Sequence, residues 1–313
     1  MKKLTLIAAI LLFASTAKAQ TDTTKSKSAT DSLMQSLSAT DKAEPVIATF
    51  KATRLIFTQT TETVKKKELN FLVIHRFGDI GGSAGGGKTL WGLDNSSDIY
   101  IGFEYGLTDN LNVGFGRSKF EQLLELQLKY YLLHQTTDNS VPVAISVVGK
   151  TGFKPYHVET NVFDDYTNRF SYFAQAIIAR KFSPSLSILV APSFVRTNLP
   201  YPFLAGNEQN FAAISAAGRF KFSKRMGIVL DYFHPFSNFR NNSVNHRFYD
   251  GVGVGLEIET GGHVFTINFS NPQAISEINY MSDTVSKWGK GQYRLGFTIS
   301  RMFDFNKKHK SSY

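Results

Sequence analysis

The sequence predicts an all-β fold: an antiparallel transmembrane β-barrel of about 12 strands, with short periplasmic turns and longer extracellular loops. Strict alternation is the first observation behind this prediction, and residues 293–305 show it best. There, apolar side chains occupy every second position, and polar or small ones lie between them. The apolar positions are Tyr293, Leu295, Phe297, Ile299 and Phe303. An export signal and an asymmetry of loop lengths are the second and third observations.

The export signal is predicted over residues 1–19, as a signal peptide. A basic start, Met1-Lys2-Lys3, precedes a short apolar run over residues 4–13, and Ala17-Lys18-Ala19 fits the small-x-small cleavage pattern. This run is shorter than the ~18 apolar residues that a transmembrane helix needs. The chain contains no cysteine, which excludes disulfides and thiolate metal sites.

The composition suits alternating strands better than apolar helices. Hydrophobic residues make up 42% of the chain, which has 27 Phe, 13 Tyr and two Trp, as aromatic girdles at both membrane interfaces would require. The formal net charge is +10, but the basic residues are spread over predicted loops, turns and inward faces. We therefore expect no nucleic-acid binding, and we expect contact with outer-membrane lipid and lipopolysaccharide.

The composition also divides the chain into regions. After the signal peptide, residues 20–45 are rich in Ser, Thr, Lys, Asp and Ala, which predicts a disordered periplasmic leader. Residues 46–50 and 53–57 are β-prone, and residues 46–68 are predicted to be an entry segment or a partial plug. Within them, residues 46–61 fit an extra strand, a segment inside the lumen, or a periplasmic hairpin. Residues 69–305 are predicted to form the barrel, and residues 306–313 a basic C-terminal tail.

Twelve candidate strands can be counted in the barrel region, and short connections between them alternate with long ones. An even number of strands, with short periplasmic turns opposite long external loops, is typical of outer-membrane barrels. The candidates are Leu69–Phe77, Asp98–Gly106, Leu111–Ser118, Gln122–Leu133, Val143–Lys150, Arg169–Phe182, Leu186–Arg196, Phe211–Phe222, Met226–His234, Asp250–Thr260, His263–Asn271 and Gly291–Phe305.

Alternation also assigns side chains to lipid or to the lumen. Because an Arg or Lys facing lipid at mid-bilayer costs roughly 2–4 kcal/mol, charged residues at the inward positions are predicted to line the lumen. These lumen-lining candidates are Arg76, Glu104, Glu125, Lys129, Asp231, Glu257 and Arg294. Arg180 and Arg301 share the apolar positions, but both lie close to the predicted periplasmic rim, where snorkelling lowers the cost.

One motif has the letters of a nucleotide-binding loop. Residues Gly82–Thr89 read GSAGGGKT and match GxxxxGK[ST]. A working phosphate-binding loop needs a helix directly after the Lys-Thr pair, because the helix N-terminus and the loop amides bind the phosphates. Residues 90–97 resist helix formation, since they contain Gly, Asp-Asn and Ser-Ser. We therefore predict a glycine-rich outer loop and no nucleotide site.

Catalytic and metal-binding signals are weak. The seven histidines show no metal-ligand spacing. His234 lies near a predicted outer rim, where a lipid-hydrolysing barrel would place a catalytic histidine, but no local Ser/His arrangement supports that activity. The sequence therefore predicts no enzyme, no catalytic residue, no cofactor and no metal.

Five segments of the sequence form a recognisable set: Thr49–Ile56, His75–Gly78, Trp91–Asn95, Glu104–Leu111 and Val113–Ser118. They resemble the marker segments of an uncharacterised β-barrel family of Bacteroidetes, domain of unknown function 5777. The resemblance spans about residue 45 to the C-terminus and is densest over residues 69–133. It implies an outer-membrane barrel and no particular activity. The final strand also resembles the aromatic-ended signal read by the barrel-assembly machinery, although residues 306–313 extend beyond it.

The functional prediction is a narrow porin-like or transport channel of unknown cargo, in the outer membrane of a Gram-negative-type bacterium. A mixed-charge lumen predicts weak ion selectivity. Two alternatives stay open at this stage: a closed structural scaffold with a filled lumen, and an outer-membrane lipid-modifying enzyme.

Overall fold

A computed structural model describes residues 43–155, 166–198, 208–243 and 247–306 of the chain. The predicted signal peptide, most of the predicted leader and most of the basic tail lie outside these residues. No helix in the described part of the chain is long and apolar enough to cross a membrane.

Twelve antiparallel strands close into a barrel in which each strand pairs with its sequence neighbours. The first and last strands close the ladder, with pairs that run from Glu68↔Asp304 to Arg76↔Gly296. Closure leaves no unpaired sheet edge, as a hydrocarbon environment requires. This confirms the predicted fold class and strand number. The strands are β1 Glu68–Phe77, β2 Ser96–Gly106, β3 Leu111–Ser118, β4 Leu124–Leu133, β5 Ala144–Phe153, β6 Phe170–Lys181, β7 Leu186–Thr197, β8 Asn210–Lys221, β9 Met226–Phe236, β10 Gly251–Thr260, β11 His263–Ser270 and β12 Arg294–Asp304.

The observed strand ends differ from the predicted ones by a few residues. Strand β4 begins at Leu124 rather than Gln122, because Glu121 and Gln122 both have φ of 52° and belong to the 3-10 turn Phe120–Gln122. A positive φ is incompatible with a regular strand. Strand β12 begins three residues later than predicted, after the 3-10 turn Trp288–Lys290.

Connections at one end of the barrel are mostly short and those at the other end are mostly long, although the β3–β4 connection at the long-loop end, residues 119–123, is short. Residues 107–110, 182–185, 222–225 and 261–262 make tight turns at the short-turn end, and residues 134–143 make a longer one. At the long-loop end, the β9–β10 connection carries helix α1, Asn238–Asn242, and the β11–β12 connection carries helix α2, Glu277–Ser282. The short-turn end of such a barrel is the periplasmic one.

The outward face is apolar along most of its height, as alternation predicted. On β4, for example, Leu126 and Leu128 are exposed, while the residues that follow each of them, Gln127 and Lys129, are buried. Two outward arginines occur near the short-turn end. The guanidinium of Arg301 lies 4.7 Å from the Phe303 ring centre, and that of Arg180 lies 5.3 Å from Phe182. These cation–π contacts place the charge at the membrane boundary, where its cost is small.

Two segments occupy the interior of the barrel. The N-terminal segment, residues 46–64, runs into the lumen from the short-turn end and is buried almost throughout from residue 52 to residue 61. The loop insert, residues 271–286, enters from the long-loop end and includes α2, all of whose residues are buried. Of the three alternatives for residues 46–61, the structure has the segment inside the lumen. Residues 272–290, between the last two predicted strands, were predicted as one of the long external loops, and that placement is wrong for residues 272–286, most of which are buried.

The two sides of the lumen differ in polarity. Strands β6 to β9 present mainly apolar inward side chains, among them Phe173, Ile177, Leu189, Val195 and Val229. We call this side the apolar wall. Strands β12 and β1 to β5 present mostly polar or charged inward side chains, which we call the polar wall, such as Asn70, Glu104, Glu125, Lys129 and Lys150. An inserted segment can therefore bury apolar groups on one side and hydrogen-bond on the other.

Candidate functional site in the barrel lumen

The tip of the N-terminal segment is a tight turn bound to the barrel wall. Leu55 N donates to Thr58 O at 2.9 Å, which closes the turn. Asp231 on β9 then accepts hydrogen bonds from the backbone N–H groups of Phe57, at 2.7 Å, and Thr58, at 2.9 Å. Its second oxygen accepts from Thr58 Oγ1 at 2.7 Å. One buried carboxylate thus satisfies three donors of the turn, and charge-assisted hydrogen bonds of this kind are the strong ones.

Other wall side chains satisfy the backbone of the N-terminal segment. Lys129 Nζ donates to Thr53 O at 2.9 Å, and Ser146 Oγ donates to Thr61 O at 2.8 Å. A segment without a partner strand has unpaired backbone groups, and buried backbone groups must find partners. The wall therefore supplies the bonds that a neighbouring strand would otherwise make.

Apolar contacts complete the seat of the turn. The Phe57 ring lies 5.4 Å from Phe233 in an edge-on arrangement and 5.6 Å from Tyr280 of the loop insert. A Cβ at Gly253 would lie 2.9 Å from Ile56 Cγ2 and 3.0 Å from Phe57 Cε2. Because Gly253 has no side chain, the side chains of Ile56 and Phe57 can pack directly against β10 at this position. Burial of each large apolar side chain contributes about 1.5–3 kcal/mol.

A buried ion cluster joins the two inserted segments to the polar wall. Glu277 of α2 lies 3.0 Å from Arg54 of the N-terminal segment and 2.6 Å from Lys150 on β5. Gln59 Nε2 donates to the same carboxylate at 3.0 Å. Lys150 in turn lies 3.7 Å from Glu125 on β4. All four charged side chains are at most 2% exposed, so the cluster is shielded from water.

The protonation of Glu277 follows from these neighbours. Burial alone would raise the pKa of its carboxyl, but the adjacent Arg54 and Lys150 cations outweigh burial and hold the pKa below its usual range. Glu277 is therefore ionised at neutral pH. Glu62, near the end of the N-terminal segment, shows the opposite balance, because burial raises the pKa of its carboxyl despite a hydrogen bond from Phe50 N at 3.1 Å.

The loop insert is bound to the polar wall through its backbone. Arg76 donates to the carbonyl oxygens of Ala274 and, at 3.3 Å, Pro272, while Asp98 accepts from Ile275 N at 2.8 Å. Arg294 holds the two ends of the insert. It donates to Asn271 O and, at 3.1 Å, to Ser286 Oγ.

The structure places all seven predicted lumen-lining residues on the inward face, where each is buried. Arg76 and Arg294 contact the loop insert, and Lys129 and Asp231 contact the N-terminal segment. Glu125 accepts a hydrogen bond from Ser276 of the loop insert. The other two bond to wall groups: Glu104 accepts from Asn70 at 3.0 Å, and Glu257 lies 2.5 Å from Arg219. In this conformation these side chains face inserted protein or other side chains of the barrel wall.

Sequence reasoning missed three members of the ion cluster, Arg54, Lys150 and Glu277. Lys150 carries the clearest signal, since it lies at an inward position of a strand. Arg54 is a charged residue within a β-prone stretch, which hints at a buried partner. Glu277 gives no local signal, because it was assigned to an external loop.

The glycine-rich motif and His234, both of which stood out in the sequence, lie apart from the buried ion cluster. Gly87–Thr89 form a single 3-10 turn, and Lys88 Nζ donates to Ser83 O at 2.7 Å. The Nδ1 atom of His234 lies 2.8 Å from Asp250 Oδ1. The residues that the structure describes include no group of three or more His, Asp or Glu side chains that could hold a metal ion.

Fold and site together define a membrane β-barrel whose lumen is filled by two segments of its own chain. The chain belongs to the family described as a membrane-bound β-barrel domain, domain of unknown function 5777, whose model matches residues 50–303. A comparison with curated proteins finds no match.

Some solved barrels have a similar overall form. A KdgM porin is 6% identical at a TM-score of 0.44, with 76% of this chain and 99% of that chain covered. The COG4313 outer-membrane channel from Pseudomonas putida F1 is 12% identical at a TM-score of 0.47, with 78% and 98% covered. At such identities and scores, this likeness supports no conclusion about function.

Proposed function

We propose that the protein is an outer-membrane channel of a Gram-negative-type bacterium, and that its N-terminal segment holds it closed in this conformation. The polar attachment of that segment carries the proposal. Asp231, Lys129 and Ser146 bind it through hydrogen bonds, and Arg54 binds Glu277 as a buried ion pair. Buried ion pairs are often no more stabilising than well-packed apolar side chains. A segment that fills the lumen permanently would therefore be stabilised little by such contacts. If the segment instead leaves the lumen, the polar side chains that held it remain on the wall, where water can solvate them.

The open channel would conduct with weak ion selectivity. Once the N-terminal segment withdraws, the polar wall exposes charges of both signs, since Glu104 of β2 and Lys129 of β4 both lie on its inward face. Mixed charges in a lumen produce no strong field of one sign. The cargo is then selected by size and by its hydrogen-bonding groups.

Deletion of residues 46–61 tests the proposal. In planar bilayers, the deletion protein is expected to conduct in stable steps with little preference for cations or anions, while the full-length protein conducts rarely. Both proteins must first show the heat-modifiable migration of a folded barrel. A folded deletion protein that remains as tight to ions as the full-length chain would contradict the channel proposal.

That contrary result would favour the second candidate, a closed scaffold barrel. The loop insert supports this alternative, because α2 would still occupy the long-loop half of the lumen after the deletion.

We expect no enzymatic activity. Lipid hydrolysis by the folded protein, lost in His234→Ala, would contradict that expectation.

A further inference from the structure

A polar cluster lies on the lipid-facing side of the barrel at the long-loop end. Strand β9 directs Tyr232, His234 and Phe236 outward there, and each is more than one-third exposed. Asp250, directly before β10, accepts a hydrogen bond from Tyr232 Oη at 2.6 Å and lies 2.8 Å from His234 Nδ1. Arg240 of α1 reaches the same carboxylate at 3.0 Å. Three side chains are thus oriented by one carboxylate at the membrane boundary.

The Asp250 carboxylate keeps its charge in this cluster. Burial would raise its pKa, but the hydrogen bonds from Tyr232 and His234 and the charge of Arg240 hold the pKa below its usual range. The cluster is therefore a fixed arrangement of donors around an anion, rather than a set of independent rim residues.

A cavity of about 510 Å³ opens beside this cluster. Its described lining includes Arg240, Asp250 and Glu208 together with Ser237 and the rings of Phe236 and Phe248. Arg240 Nη1 and Ser237 Oγ are buried and have no hydrogen-bond partner among the described residues. Buried donors without partners are costly, so these two groups indicate a ligand that accepts hydrogen bonds.

An apolar groove lies on the membrane-facing surface next to the cavity. Small side chains on β8, Ala216 and Gly218, form its floor, because they lie between the larger Ile188 of β7 and Leu230 of β9. The groove has a volume of about 500 Å³. Tyr232 lines it and also donates to Asp250, so one residue belongs to both the groove and the rim cluster.

We propose that this surface binds a glycolipid of the bilayer, with the sugar in the rim cavity and an acyl chain in the groove. The occupant is a lipid because the groove opens toward the hydrocarbon core of the bilayer, where acyl chains surround the barrel. A sugar fits the cavity because its hydroxyls both donate and accept, which suits Arg240 and Ser237 as donors and Glu208 as an acceptor. One arginine against two carboxylates disfavours a headgroup that is only a phosphate. Aromatic and polar groups together are typical of specific ligand sites.

Lipid retention tests this proposal on the full mature chain. The protein is reconstituted in nanodiscs with equal amounts of monoglucosyl diacylglycerol, phosphatidylethanolamine and phosphatidylglycerol, and bound lipids are counted by native mass spectrometry. The glucosyl lipid is expected to be retained at least about fivefold over both phospholipids. Arg240→Ala should lower its retention roughly tenfold, the effect of losing one charged hydrogen bond.

Gly218→Leu fills the groove without disturbing the fold, because a Cβ there lies 3.5 Å from Ser187 O and 3.8 Å from Ile188 Cγ1, which are ordinary contacts. It should also reduce glycolipid retention. Gly149→Leu is the matched control, since Gly149 is exposed on β5 and a Cβ there meets nothing within 4 Å. Equal retention of the three lipids, a preference for either phospholipid, or equal effects of the two glycine variants would overturn the proposal. None of these readouts depends on conductance, so the channel proposal is tested separately.

Discussion

The N-terminal segment and the loop insert fill the same lumen but are attached to the barrel differently. The loop insert is joined covalently to β11 and β12 at its two ends and contains α2, which makes its own hydrogen bonds, such as Tyr280 N to Ser276 O at 2.9 Å. Among the residues that the structure describes, the N-terminal segment is joined to a strand only at its C-terminal end, where β1 follows. Few of its backbone groups bond within the segment, and wall side chains satisfy many of the others.

This difference assigns the two segments different roles. Both ends of the N-terminal segment lie at the short-turn end, since Val46 N donates to Gln135 O at 2.7 Å and Lys67 N donates to Gly106 O at 2.9 Å. It can leave the lumen without breaking a strand pair. The loop insert has to withdraw as a helix-containing hairpin past Arg294 and Arg76. We therefore infer that the N-terminal segment is the one that leaves the lumen, and that the loop insert stays in the lumen and stabilises the barrel.

The largest effect is expected where the two segments meet. Glu277→Ala would leave Arg54 and Lys150 buried with their main anionic partner gone, and breaking a buried pair in this way costs about 3–5 kcal/mol. Both segments should loosen, so the thermal unfolding midpoint should fall and channel openings should become frequent. Lys51→Ala is the control, because its pair with Glu259, at 3.6 Å, is partly exposed and such pairs contribute about 0–1 kcal/mol. Equal effects of the two variants would refute a special role for the cluster.

A more selective change separates the segments. Asp231→Ala removes the acceptor for three donors at the tip of the N-terminal segment, at about 1–3 kcal/mol for each buried group left unpaired. Because the chain lacks cysteine, single-cysteine reporters can follow each segment. With Ala52→Cys in the N-terminal segment, thiol labelling should become at least about tenfold faster, as a change of roughly 1.4 kcal/mol implies.

The matched reporter for that experiment is Ala274→Cys in the loop insert, a position that is fully buried like most of its neighbours. Its labelling rate should not change in the Asp231→Ala background. If both reporters were labelled faster to the same extent, the two segments would move together and the assignment of separate roles would fail.

The smallest effect is expected from a single added methyl group. Gly253→Ala would place a Cβ 2.9 Å from Ile56 and 3.0 Å from Phe57, and overpacking of this kind costs about 1–3 kcal/mol. Channel openings should become moderately more frequent while the barrel stays folded. Gly149→Ala, on the lipid-facing side, should leave openings unchanged and stability within about 0.5 kcal/mol. An unaltered Gly253→Ala protein would show that the turn is not seated against β10.

Most of the fold could be predicted from the alternation of apolar and polar residues, because that alternation has a single physical cause. A strand between hydrocarbon and a lumen must repeat with period two, so the positions of Glu125, Lys129 and Asp231 are readable from their neighbours. Strand ends were less predictable. The start of β4 depends on the positive φ of Glu121 and Gln122, and neither residue type signals that conformation.

The contents of the lumen were beyond such a pattern. Residues 46–61 are β-prone, and that property is equally compatible with a strand, a hairpin or a plug. The loop insert has the composition of an exposed connection, so Glu277 was unremarkable in the sequence. Its partners Arg54 and Lys150 are 223 and 127 residues away in the chain, and no local periodicity reports such contacts.

The sequence by itself determined that the chain forms a closed ladder with an apolar exterior, because each strand must satisfy its backbone and solvate its outer face in hydrocarbon. Only the tertiary structure decided what occupies the interior. That choice depends on the wall as a whole: Asp231, Lys129 and Gly253 lie on three different strands and form a seat for one turn only after the barrel has closed around it.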